Sequence, residues 1–170
     1  MADHIRPATD ADRKTIGEIY AAAILDGAAS HFPPAALAAW AARPPLNDPA
    51  FGVDTLVLVA DREGIVVGYG EADLAAGTVE RLFVRPAVMG TGVGSALLAR
   101  LETAVADRGH RRVSLDAADN ALPFYERHGY ARTGRSDRRD CGDVTLTCIG
   151  LAKTFLALMS ILGGWAGPAH

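Results

Sequence analysis

Cysteine is nearly missing from this chain, with Cys141 and Cys148 the two in 170 residues. Two thiols cannot build the disulfide framework of a small secreted fold. No histidine stands beside them at ligand spacing, so no metal is expected either. Lysine is just as scarce: 15 of the 17 basic residues are arginine, and 20 acidic residues bring the net charge to −3. That balance lacks the basic face a nucleic-acid partner would need. A signal peptide is absent from the polar opening MADHIRPATDADRK, so a cytoplasmic setting is expected. Long apolar runs are absent too. The one uncharged apolar stretch, TFLALMSILGGWA from Thr154 to Ala166, follows Lys153 and falls short of the ~20 residues that cross a bilayer. No membrane partner is expected.

What is present is ordinary for a globule: 49% apolar residues and 22% charged, enough for one domain with a real core. A short strand is expected over 4–8. Thr9 caps a helix on which Ile16, Ile19, Tyr20, Ala23 and Ile24 recur at helical spacing as far as Leu25. Pro33-Pro34 opens a second helix carrying Leu37, Trp40 and Ala41, and Arg43-Pro44-Pro45 stops it. Strands over 55–60, 65–72 and 78–84 are joined by the turns Asp61–Gly64 and Ala75–Gly77, and such short connections make an antiparallel meander. Val93, Leu97, Leu98, Leu101 and Val105 mark a third helix ending near Arg108-Gly109. Because a whole helix intervenes, the next strand, 112–117, is expected parallel to 78–84. A short helix over 120–128, a strand from Tyr130, an exposed charged loop over 136–142 and an antiparallel strand over 144–151 complete the pattern. The fold class is α/β (α+β), with a mixed, mostly antiparallel sheet of about seven strands and flanking helices.

Residues 78–100, TVERLFVRPAVMGTGVGSALLAR, are the stretch around which the rest is organised. A strand, a glycine loop and a helix N-terminus together hold anions well. Glycines clear the way for backbone N–H groups, and the first helical turn adds unpaired N–H groups and a positive dipole end. A dinucleotide-binding reading of Gly90, Gly92 and Ser95 conflicts with the meander before them. A phosphate-binding Gly-Lys-Ser/Thr loop is not present.

LFVRP, the spaced G-x-G-x-G-S-A-L-L and, about thirty residues on, FYERHGY together resemble the GNAT superfamily of acyl-CoA-dependent N-acetyltransferases. The family's loop, Arg/Gln-x-x-Gly-x-Gly/Ala, falls on Met89, Gly90, Thr91, Gly92, Val93 and Gly94, and Met89 departs from its first position. The resemblance implies a sheet with one parallel strand pair splayed to hold acyl-CoA, with acetyl-CoA as cosubstrate and no metal. It implies acetyl transfer to a primary amine of a small molecule or peptide, or, alternatively, a non-catalytic acyl-CoA-binding module. Met89 to Ser95 would take the pyrophosphate, and the backbone of Leu82, Phe83 and Val84 the pantetheine, with Asn120 and Phe124 beside it. Tyr125 matches the family's general-acid tyrosine. Glu80 is the candidate base, and two-residue alternation puts it on one strand face with Leu82 and Val84. Glu71, Tyr20, His31, Phe32 and Trp40 are candidates for the acceptor site. The catalytic domain is expected over 1–153, with 154–170 an apolar tail packed on the domain or on a partner in a homodimer.

Overall fold

The computed structural model describes residues 3–47, 50–141 and 144–156. Strand β2 (Thr55–Arg62) shows how the layers arise. Val57 and Val59 point into one apolar core, and Leu58 and Ala60 into another on the opposite face. A strand apolar on both faces must be covered on both. One cover is α1 (Arg13–Leu25), with α2 (Pro34–Ala41) beside it; the other is α3 (Val93–Asp107), with α4 (Leu122–Arg127).

Between these layers lie β1 (His4–Pro7), β2, β3 (Ile65–Asp73), β4 (Thr78–Val84), β5 (Arg112–Ala118), β6 (Ala131–Cys141) and β7 (Val144–Thr154). They form one seven-stranded sheet in the order β1-β2-β3-β4-β5-β7-β6. All pairs are antiparallel except β4 with β5. The meander, the parallel pair and the flanking helices agree with the fold expected from the sequence.

Helix α1 begins through a short 3₁₀ turn at Asp10–Asp12. The Asp12 carboxylate accepts the Thr9 N–H at 2.8 Å and both ends of the Arg6 guanidinium at 2.9 Å. These bonds, led by Arg6, hold its pKa down at about 2. A depressed carboxylate stabilises the fold above its unfolded value, and that stability is lost as pH falls through the folded one. Asp12→Ala is therefore expected to cost about 1–2 kcal/mol at pH 6. In urea melts, the gap to the parent protein should close as the pH approaches 2.

Two details differ from expectation. Of the charged run expected as a loop over 136–142, residue 142 lies outside the described residues and 136–141 are strand: β6 continues to Cys141, with Ser136 to Cys141 paired against Ile149 to Val144. It forms the outer edge of the sheet, where exposed charges are tolerated and discourage edge-to-edge pairing. The last strand also runs on past Leu151 to Thr154. Phe155 then donates its N–H to the Arg111 carbonyl at 2.8 Å and packs on the α3-side core, whereas Leu156 is 96% exposed. The rest of the expected apolar tail, 157–170, lies outside the described residues.

Candidate active site

The parallel strands β4 and β5 share a single register pair, Thr78 with Ser114. Beyond it they diverge, so the β5-facing edge of β4 is left without a strand partner. A cavity of about 580 Å³ fills the divergence. Its lining comes from both faces of the sheet: Ala23, Ile24, Ala28 and Trp40 from the α1/α2 layer, and Gly94, Ser95, Phe124 and Tyr125 from the α3/α4 layer. The opening thus passes through the sheet.

The α3 end carries the anion-holding features. Gly90 and Gly92 have φ of +76° and +94°, a conformation glycine adopts freely, and added Cβ atoms there would meet nothing. The loop is pinned by the Thr91 hydroxyl, which donates to the Val88 carbonyl at 2.7 Å, and by Arg62, which reaches the Thr91 oxygen at 3.3 Å. The first N–H to find a helical acceptor is that of Ala96, bonded to the Gly92 carbonyl at 3.0 Å. Val93, Gly94 and Ser95 therefore stand in the turn whose N–H groups have no helical partner. Val93 itself turns its side chain into the core. Asn120 lines the same cavity, and its Oδ1 is buried without a hydrogen-bond partner among the described residues.

Tyr125 is buried, 8% exposed, with its ring edge-on to Phe124 and Tyr130. Its hydroxyl makes no hydrogen bond among the described residues, and burial alone pushes the phenol pKa well above its ordinary value of 10.0. His128 lies against the Phe124 ring at 4.4 Å. Its Nδ1 donates to the Phe124 carbonyl at 2.7 Å, which leaves Nε2 to accept from the Ser95 hydroxyl at 2.8 Å. At the C-terminal cap of α4, it also lines the cavity and braces the cradle.

Glu80 needs a correction. Across the β3–β4 pair, Glu71 opposes Arg81 and Ala72 opposes Val79, so Glu80 is the extra residue of a β-bulge. The bulge breaks the two-residue alternation. Leu82 and Val84 pack on the α3-side core, whereas the Glu80 carboxylate accepts from the Thr78 hydroxyl at 2.5 Å and from Asn47 Nδ2 at 3.5 Å, in the α1/α2 layer. It remains at the cavity, on the opposite face from Leu82 and Val84.

Of the residues expected at the acceptor site, Trp40 lines the cavity, and Tyr20, His31, Phe32 and Glu71 do not. Tyr20 is a core residue that donates to the Trp40 carbonyl at 3.1 Å and meets Phe83 edge-on. Phe32 braces the Trp40 ring in a T-shaped contact, and His31 is exposed on the loop. Glu71 is fully buried, joined to Arg81 at 3.1 Å and to the Asn47 N–H. Burial raises its pKa, and the charge of Arg81 opposes that rise. Asp116 and Arg135 join the site as an ion pair at 2.8 Å on the α1/α2 side of the gap, beside Glu80. The alternation of β5 signals Asp116, since Val113, Leu115 and Ala117 turn to the other face. Nothing local signals Arg135, which arrives through the β6–β7 hairpin.

Comparison with known proteins agrees with this geometry. A family model described as an acetyltransferase (GNAT) domain matches residues 37–144. A curated relative, the uncharacterised N-acetyltransferase YjcF of Bacillus subtilis (strain 168), is 34% identical over 91 residues. That match covers 48% of this chain and 65% of the relative, so the chain spans a little less than two thirds of the relative's length. A GCN5-related N-acetyltransferase from Rhodopseudomonas palustris superposes with a TM-score of 0.83 at 25% identity, over 91% of this chain and 97% of that one. PaiA N-acetyltransferase from Thermoplasma acidophilum, solved with coenzyme A, shares the fold with a TM-score of 0.71 at 18% identity, over 91% and 100% of the two chains.

Proposed function

Since this chain belongs to the GNAT acetyltransferase family, we propose that it moves the acetyl group of acetyl-CoA onto a primary amine of a small molecule or peptide. The observation that carries this reading is the cavity between β4 and β5, lined from both faces of the sheet, where donor and acceptor would approach from opposite sides.

The donor's requirements match what the α3 face offers. The N–H groups of the Gly90–Ser95 loop and of the first turn of α3 would hold the diphosphate by charge and direction. The free edge of β4 at Leu82–Val84 would pair with the amide arm as an added strand. The Asn120 Oδ1, without a partner among the described residues, is an acceptor of the kind such an arm can satisfy. Met89, 54% exposed at the rim, brings apolar contact in place of charge. When bound, acetyl-CoA supplies an activated thioester carbonyl.

The residues then divide the proton work. Glu80 takes a proton from the acceptor ammonium, directly or through water, and frees the nitrogen lone pair. A β4 backbone N–H stabilises charge on the carbonyl oxygen as the C–N bond forms. Tyr125, kept protonated by its burial, delivers its proton to the departing sulfur as the C–S bond breaks. The nitrogen gives up its second proton as the adduct collapses, which restores the Tyr125 phenol directly or through water, and Glu80 returns the first proton to solvent, so amide and free thiol leave with both groups reset.

The test is thiol release from acetyl-CoA with a panel of primary amines, with the acetylated product weighed by mass spectrometry. Amine-dependent release is expected. Coenzyme A that raises the melting temperature while no amine triggers release would instead identify an acyl-CoA-binding module.

A further inference from the structure

We infer that the acceptor is a primary amine carried on an apolar or aromatic frame, with no carboxylate or phosphate beside the nitrogen. The inference rests on the transfer reaction proposed above and concerns the α1/α2 end of the same cavity. The walls there are Ala23, Ile24, Ala28, Phe83 and the ring of Trp40. The Trp40 ring is fixed before any ligand arrives, because Phe32 meets it edge-on at 5.7 Å and Tyr20 holds its backbone carbonyl. A braced aromatic wall favours a flat or aliphatic frame at little ordering cost.

The charges make the same selection. Glu80 stands exposed at this end, held in place by Thr78 and Asn47. Asp116 lies across the gap from it. Among the described residues, Arg81 and Arg135, the arginines that line this end, are engaged by acids. Arg81 is bonded to the buried Glu71 at 3.1 Å and reaches the Pro44 carbonyl at 3.3 Å. Arg135 is bonded to Asp116 at 2.8 Å. Two carboxylates and one guanidinium leave the region around Glu80, Asp116 and Arg135 with one net negative charge. An ammonium settles beside Glu80. An anionic group on the neighbouring carbon would face that carboxylate, and to gain a cation it would have to take Arg135 from Asp116.

Matched pairs test this: phenethylamine against phenylalanine and tyramine against tyrosine, with glucosamine 6-phosphate as a polar, phosphorylated amine, all at saturating acetyl-CoA. The expected result is a kcat/KM about ten- to a hundredfold higher for each decarboxylated member, with the phosphorylated sugar at the bottom. Trp40→Ala is expected to raise KM for phenethylamine about tenfold with a much smaller change in kcat, because the ring binds the frame and not the reacting atoms. An unchanged coenzyme A-induced melting shift in that variant checks that it is folded. A preference for the amino acids or the phosphorylated sugar overturns the inference and leaves the transfer reaction standing, as does an unchanged KM in Trp40→Ala. Failure of every amine, with coenzyme A still binding, overturns the transfer reaction and this inference with it.

Discussion

Tyr125→Phe is expected to lower kcat by about two to three orders of magnitude while leaving coenzyme A affinity within about twofold. The two readouts separate because the hydroxyl makes no hydrogen bond to any described residue, so its loss orphans no partner. The ring stays held by Phe124 at 5.1 Å and Tyr130 at 5.5 Å. The melting temperature should therefore hold or rise slightly. Without the phenol, sulfur leaves as a bare thiolate in an apolar pocket, and that step becomes limiting. The raised pKa makes a second mark: the parent enzyme should not lose its acid between pH 8 and 10, so any alkaline decline belongs to another group. A Tyr125→Phe enzyme with undiminished turnover at saturating substrates would remove the tyrosine from the mechanism.

Arg81→Met is expected to be the most destabilising single change at the site. Glu71 is fully buried, and among the described residues Arg81 is its charged partner at bonding distance. Removing the guanidinium leaves the carboxylate with the Asn47 N–H at 3.1 and 3.3 Å. Breaking a buried pair from one side costs about 3–5 kcal/mol, which for a chain of this size is roughly 10 °C in Tm. The pH dependence identifies the cause. Burial already holds the Glu71 pKa above its ordinary value of 4.5, and losing Arg81 lifts it further. Between the unfolded and folded values, the native state binds more protons than the unfolded chain. The stability tied to this group is thus present below the unfolded value and drains away as pH rises through the folded one. The deficit of Arg81→Met should accordingly be large at pH 8 and shrink towards pH 5, and adding Glu71→Leu should recover most of it. Urea melts at both pH values measure this, and an equal deficit at the two would assign the loss to packing instead.

Much of the framework was legible from residue order because local rules govern it. Thr9 and Asp12 mark the entry to α1, Pro33-Pro34 marks that of α2, and Val93 to Val105 spell the stripe of α3. The stretch from β4 through the glycine loop stood out for the same reason: the strand, the positive-φ glycines and the helix start are all short-range chemistry. The parts that escaped depend on registers between distant segments. One extra residue at Glu80 turns its carboxylate to the opposite face, and β4 is too evenly half-buried to betray it. The run Arg138-Arg139-Asp140 has the composition of a loop, and its role as an edge strand follows only from the partner strand β7. Ser95 and His128 meet across 33 positions and Asp116 and Arg135 across 19, through helix docking and strand order respectively. Tyr20 and Glu71 were natural candidates by residue type. Tyr20 belongs to the apolar stripe of α1, which turns it into the core against Phe83, whereas the burial of Glu71 rests on Arg81, a partner on the next strand that no periodicity in β3 announces.

The single rung between Thr78 and Ser114 has a mechanical meaning. Seven register pairs tie β5 to β7, and antiparallel ladders tie β1 through β4 together. The sheet is therefore two stiff plates, β1–β4 and β5-β7-β6, riveted at one point, with α3 lying under the seam as a common beam. A rivet at one end makes the gap a pair of jaws, whose spread at the far end is set by side chains filling it and not by backbone bonds. A linear amide laid along β4 would supply the missing rungs, so the donor would act as a structural member of the sheet it binds. Rigidity of the catalytic centre and occupancy by the donor would then be one property, and the acceptor would meet a finished wall only after the donor is in place.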